Sequence, residues 1–330
     1  MKSFQIVGIG NAMVDVLSRT EDAFLTEAGI EKGIMQLIDM DRAVDLYRRI
    51  GPAKEISGGS AANTIAGIAH LGGRTAYVGK VKDDQLGAIF AHDLRSIGAS
   101  YETTPAPKVS DAETGRCIVL VTPDGERSMS TYLGWSEHLG PDDIDPGLMA
   151  DAEWIYLEGY RFDGPASHAA FAKAINACKG AGGRVSLTLS DPFCVERHRD
   201  AFRVMIHEDV DLLFCNRAEL MSMYQTGDFE SALAAAAADV AILACTDSEN
   251  GAHILSGGQY WHAPAIPTDI VDATGAGDLF AGAFLWGLAE GRDLETCGRM
   301  GCVAASEVIS HIGARPEADL RALFSSHSLL

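Results

Sequence analysis

The strongest chemical signal in the sequence is the string Asp272-Ala273-Thr274-Gly275-Ala276-Gly277-Asp278, which runs straight into LFAGAFLWGLAEG. Gly275, Ala276 and Gly277 are small enough to let backbone amides approach a ligand closely. They sit where the apolar spacing starts a helix, so unpaired N–H groups and the helix dipole point outward. That is an anion hole suited to a phosphoryl group in transfer. Asp278 falls in the first helical turn beside the hole, where a carboxylate can accept the proton of an attacking hydroxyl. The competing reading is a glycine-rich turn with a dipole-favoured aspartate. A seven-residue string backed by an apolar helix favours the chemistry.

Three further constellations fit a polyol acceptor and a triphosphate donor. Gly58-Gly59-Ser60-Ala61-Ala62-Asn63-Thr64 precedes the helical pattern IAGIAHLGG. Glycines there let a polyol lie against the backbone, and Asn63 can donate to and accept from vicinal hydroxyls. Gly8-Ile9-Gly10-Asn11-Ala12-Met13-Val14-Asp15 ends the first strand pattern and places a carboxylate where two ribose hydroxyls could be gripped. It is not a dinucleotide fingerprint, because the third glycine is missing and Asp15 comes too early. Asn216 and Glu219, three apart on an opening helix, can hold waters around Mg²⁺. They equally suit an N-cap closed into a capping box, and both readings stand together.

The glycine string resembles the C-terminal signature DTxGAGD of the ribokinase/PfkB family of carbohydrate kinases, with Ala273 in the tolerant second position. The GGSAxNT form and the LSxPF-like stretch Thr188–Phe193 are similar to the adenosine kinase branch. The resemblance runs from Gly8 to Pro316 with the motifs in order. It implies Asp278 as catalytic base, Gly275, Ala276 and Gly277 as the anion hole, and Asp15, Gly58, Gly59 and Asn63 against the sugar. Asn11 would lie near the base, and Phe193 would stack on a purine, with Phe162 a second aromatic candidate. Arg127, in Thr122-Pro123-Asp124-Gly125-Glu126-Arg127, matches a lid hairpin that ends in a phosphate-facing arginine. Asn216, Glu219, Thr246 and Gly251 would approach Mg²⁺ and ATP, and Asp272 with Thr274 would border a monovalent cation such as K⁺.

Composition sets the outer limits. With 47% hydrophobic and 22% charged residues the chain has the makings of a large core. A formal net charge of −20 repels a nucleic-acid backbone and obliges any ATP site to build its own positive field. Seven scattered cysteines without a CxxC pair fit free thiols in a reducing cytoplasm rather than zinc or disulfides. No basic leader or long apolar run suggests a signal peptide or a membrane span. The partners are therefore small molecules, and the chain is expected as a monomer or homodimer.

These residues must be held by elements that alternate short apolar strands with helical patterns, as in a mainly parallel sheet covered by helices. Strands are expected at Gln5–Gly8, Thr75–Val78, Trp154–Leu157, Arg184–Leu189, Asp211–Cys215, Ala241–Ala244 and His253–Leu255. Helices are expected at Ala61–His70, Leu86–Ser96, Ala166–Lys179, Ala218–Tyr224, Ser231–Ala238, Asp278–Glu290 and Leu294–Ser310. Residues 12–40 and 100–134 break the rhythm with short strand-and-turn patterns and are expected to pair into a small β lid. The resemblance makes this a ribokinase-like three-layer α/β/α core, from residues 1–11, 41–99 and 135–330. Its implied reaction is ATP-dependent phosphorylation of the 5′-hydroxyl of a ribonucleoside, adenosine foremost. A sugar kinase for ribose, fructose or a related sugar is the alternative, and a non-catalytic nucleotide-binding protein the more distant one.

Overall fold

A computed structural model describes residues 2–330. Its strands in chain order are β1 (Phe4–Ile9), β2 (Met13–Arg19), β3 (Met35–Leu37), β4 (Ala53–Gly58), β5 (Thr75–Val78), β6 (Ser100–Tyr101) and β7 (Gly115–Val121). They continue with β8 (Arg127–Tyr132), β9 (Ala152–Glu158), β10 (Arg184–Thr188), β11 (Leu212–Asn216), β12 (Ile242–Thr246), β13 (Ala252–Ser256) and β14 (Gln259–Ala263).

Nine of them form one sheet in the order β14-β13-β12-β11-β10-β9-β1-β5-β6, parallel from β12 to β6 with an antiparallel hairpin at the other edge. Period-2 alternation along the buried strands explains the three layers. Ile6, Trp154 and Tyr156 point into one apolar core, shared with the helices Ser60–His70, Ala276–Ala289 and Leu294–Val308. Val7, Ile155 and Leu157 point into the other, under the helices Ser167–Gly180, Pro192–Glu208, Arg217–Tyr224 and Phe229–Asp239. From β1 the chain crosses to β5 on one side, and from β1 the sheet continues through β9 on the other. That reversal opens a crevice at the carboxyl ends of β1, β5 and β9, where ligands of such sheets bind.

The second sheet, ordered β3-β8-β7-β2-β4, stands over this crevice. Val16, Ile118 and Leu120 on one of its faces pack with Leu25 and Leu46 from the helices Asp22–Ala28 and Met40–Arg49. Asp15, Leu17 and Val119, offset by one residue, line a cleft on the other face. Two expectations are corrected. Residues 41–58 do not belong wholly to the core, because β4 pairs antiparallel with β2 and the helix Met40–Arg49 covers the small sheet. Residues 100–101 leave the expected lid and pair with β5 in the large sheet.

Candidate active site

Two helices begin without a side-chain cap and with a glycine in the cap position, Ser60–His70 behind Gly59 and Ala276–Ala289 behind Gly275. Elsewhere an aspartate usually caps the first turn, as Asp84, Asp191 and Asp293 do. The glycines are dictated by geometry. Gly275 has φ 80°, and a Cβ there would strike the backbone of Ala314; Gly59 has φ 97°, and a Cβ there would strike the Asn11 carbonyl. Each helix start therefore leaves first-turn amides to something other than its own side chains.

The two starts converge on Asp278, in the first turn of Ala276–Ala289. Ser60 Oγ donates to Asp278 Oδ1 at 2.6 Å and Asn63 Nδ2 donates to Oδ2 at 3.0 Å. The carboxylate is half-buried beside the exposed Gly277. Burial raises its pKa, and the hydrogen bonds from Ser60 and Asn63 hold that rise in check. An oriented carboxylate beside open helix-start amides can take a proton from a hydroxyl while the amides hold a phosphoryl group.

The adjoining cleft, about 240 Å³, is lined from the small sheet by Asp15 and Arg127 and from the core by Asn63, Thr274 and Arg315. Gly58 is glycine because a Cβ would run into the Asp15 carboxylate. Burial pushes the Asp15 pKa up to about 7, opposed by the Arg315 charge and helped by Asp278. Glu158 is fully buried at the end of β9. Its Oε2 accepts from the Ala61 amide at 2.9 Å and the Asn11 amide at 3.3 Å, so one carboxylate ties β1 to the start of Ser60–His70. Burial pushes Glu158 up to about 7 against the pull of those two amides. Asn11 is itself buried, with Oδ1 accepting from Arg161 Nη1 at 3.0 Å and Nδ2 without a partner.

One sequence-based assignment is corrected. Phe162 is 3% exposed and packed against Phe202 and Phe171, so it presents no free ring to a base. Asp272 accepts from the amides of Thr274 at 2.7 Å and Gly313 at 2.9 Å and pairs with Arg127. Its carboxylate thus braces the anion-hole loop and engages Arg127 at the cleft wall. Asn216 and Glu219 form the capping box: Asn216 N and Nδ2 donate to the two Glu219 oxygens at 3.0 and 2.5 Å. Burial pushes Glu219 up to about 7. No group of three or more His, Cys, Asp or Glu that could hold a metal ion occurs among the described residues. Gly251 is buried, and its lack of a Cβ is required by the backbone of Ala263 and Ala265. Thr246 closes β12, half-buried. Phe193, by contrast, is 68% exposed at the start of Pro192–Glu208, beyond the carboxyl end of β10.

Sequence reasoning did not single out Ser60, Glu158 or Arg161, and it gave Arg315, in the segment Gly313–Pro316, no role. Ser60 stood inside a quoted motif and is the first residue of an uncapped helix, which was signal enough. Glu158 directly follows the apolar run WIYL and closes β9, and Arg161 stands in the turn just beyond it. A buried charge must find partners, and Arg161 finds Leu139 O at 2.9 Å and Ser167 Oγ at 2.7 Å.

Residues 33–320 match the model of the pfkB family carbohydrate kinases. An ATP-dependent ribose-1-phosphate kinase from Halopiger xanaduensis is 33% identical over 287 residues, 83% of this chain and 88% of that one. A crystal structure described as a probable sugar kinase from Rhizobium etli CFN 42 is 48% identical over the whole of both chains, with a TM-score of 0.94. The adenosine kinase from Sinorhizobium meliloti is 44% identical, covers 98% of this chain and 99% of its own, and has a TM-score of 0.92. With the sheet order, the two glycine-started helices and the oriented Asp278 in place, the chain belongs to the pfkB family of carbohydrate kinases and is a nucleoside or carbohydrate kinase of the ribokinase-like fold.

Proposed function

We propose that this kinase transfers the γ-phosphoryl group of ATP to the 5′-hydroxyl of a ribonucleoside, adenosine foremost. The observation that carries the reading is Asp278, oriented by Ser60 and Asn63 at the uncapped start of Ala276–Ala289. Asp278 accepts the 5′-hydroxyl proton as that oxygen attacks the γ-phosphorus. The bond from phosphorus to the β,γ-bridging oxygen breaks, ADP leaves, and the open amides of the helix start carry the charge in between. Asp15 and Asn63 supply acceptors for the sugar hydroxyls. Mg²⁺ accompanies the triphosphate and offsets its charge, a need sharpened by the chain's net charge of −20.

Two things support adenosine: the 44% identity with the S. meliloti adenosine kinase and the exposed Phe193 ring beyond β10. A free sugar is the second reading, favoured by the 48% identity with the probable sugar kinase. Seven free, buried cysteines support a cytoplasmic setting; no helix among the described residues is long and apolar enough to cross a membrane. The test is an ATP-consumption screen over ribonucleosides, ribose and fructose, with the product's phosphate position mapped by NMR. Adenosine 5′-monophosphate as the preferred product supports the reading. Turnover of hexoses with none of nucleosides refutes it.

A further inference from the structure

Arg315 projects from the loop after Leu294–Val308, one residue beyond Ala314, whose backbone meets Gly275 at the anion hole. It lines the cleft with Asp15 and Asn63, yet its Nε and Nη2 are buried and have no hydrogen-bond partner. These two nitrogens form one edge of the guanidinium, with parallel N–H groups built to meet a pair of oxygens. Two neighbours in the cleft are unpartnered in the same way. Ser57 Oγ and Asn63 Oδ1 are both buried without a hydrogen-bond partner. Buried donors and acceptors left open together cost free energy unless a ligand closes them. The ligand must accept from Arg315 while donating to Asn63 and Asp15, which a hydroxyl does and a carboxylate or phosphate oxygen does not.

The charges point the same way. Arg315 lies within the electrostatic reach of both Asp15 and Asp93, and Arg127 is already paired with Asp272. Asp93 is fixed there by accepting from the Ser57 amide at 3.0 Å. One cation facing two carboxylates offers no net positive field to an anionic acceptor.

We infer that the open edge of Arg315 and the Asp15 carboxylate together read an uncharged cis-diol on the acceptor, making Arg315 the residue that selects ribo-configured neutral acceptors over deoxy and anionic ones. The inference rests on the phosphotransfer reading above and deepens it. It separates this cleft from one built for ribose 1-phosphate, the acceptor in the name of the H. xanaduensis relative.

The experiment compares wild type, Arg315→Lys and Arg315→Met on adenosine, 2′-deoxyadenosine, 3′-deoxyadenosine and ribose 1-phosphate. It measures kcat and KM for each acceptor and KM for ATP, with acceptor binding by calorimetry in the absence of ATP. Wild type should prefer adenosine over either deoxy analogue by about tenfold or more and should turn over ribose 1-phosphate poorly. Arg315→Lys keeps the charge but loses the edge. It should raise KM for adenosine roughly 10- to 100-fold and bring the ribo/deoxy ratio towards one, with KM for ATP unchanged. The inference is overturned if that ratio survives in Arg315→Lys, if KM for ATP rises while acceptor KM stands, or if ribose 1-phosphate is the better acceptor. Should Arg315→Met fail to fold, the lysine variant and the analogue series on wild type still decide. If wild type phosphorylates a free sugar and no nucleoside, the nucleoside reading alone fails. The same ratio is then read with that sugar and its deoxy analogue, where an unchanged ratio refutes the role of Arg315.

Discussion

Replacing Glu158 by glutamine should flatten the pH dependence of folding stability. In the folded chain burial holds the Glu158 pKa at about 7, against an ordinary value of 4.5. Between those two values the folded state keeps a proton that the unfolded chain has released. The carboxyl group therefore contributes stability that is fully present below pH 4.5 and lost as pH rises through about 7. The interval, at ~1.4 kcal/mol per pH unit, amounts to roughly 3 kcal/mol. Glutamine has no proton to lose, and its amide oxygen can still accept from the Ala61 or Asn11 amide. Urea denaturation at pH 5 and pH 8 measures the effect. The difference in unfolding free energy, wild type minus variant, should fall by roughly 2–3 kcal/mol between the two conditions. Asp15 and Glu219, also raised to about 7, act in both proteins and cancel from this comparison. Parallel stability profiles would refute the claim that burial keeps a proton on Glu158 in the folded chain up to about pH 7.

Two other substitutions probe the brace around the base. Ser60→Ala removes a 2.6 Å hydrogen bond that lowers the Asp278 pKa. It should cut kcat by about tenfold or more and move the acid limb of the kcat profile to higher pH, and an unchanged profile contradicts the assigned bond. Asp272→Asn strands the Arg127 guanidinium, whose side chain is 9% exposed, against a position that is 1% exposed. It should lower stability by about 3 kcal/mol in chemical denaturation, and an unaltered midpoint would show that the pair does not join the small sheet to the core.

Seven strands of the large sheet and seven of the helices were legible because their apolar residues repeat with clear periods, as in the run WIYL that became β9. The helix Pro192–Glu208 was not, and its residues show why. Its charged run ERHRD breaks the apolar spacing, and His198 adopts non-helical backbone angles at φ −124°, so the element is kinked. Strand β4 hid for another reason. Ala53–Glu55 are charged or exposed edge residues, and only pairing with β2 makes Ala53–Gly58 a strand. At the site, the glycine-rich loops could be read because a φ near 80° or a close backbone approach demands glycine. The partners of Asp278 and Glu158 depend on contacts across 97 to 218 positions of sequence, as from Ala61 to Glu158 and from Ser60 to Asp278. No local pattern encodes them. Asp272 and Arg127, to which the resemblance gives ligand roles, also pair with each other, a contact just as invisible to local pattern.

The central claim is that the Asp278 carboxylate removes the acceptor proton. Single-turnover phosphoryl transfer from labelled ATP, with adenosine as acceptor and wild type beside Asp278→Asn, tests it most directly. Asparagine retains the size of the side chain and an oxygen for Ser60 but cannot take a proton. The account predicts a fall in the transfer rate of roughly 10²- to 10⁴-fold with adenosine binding retained. A rate within a few-fold of wild type would contradict it.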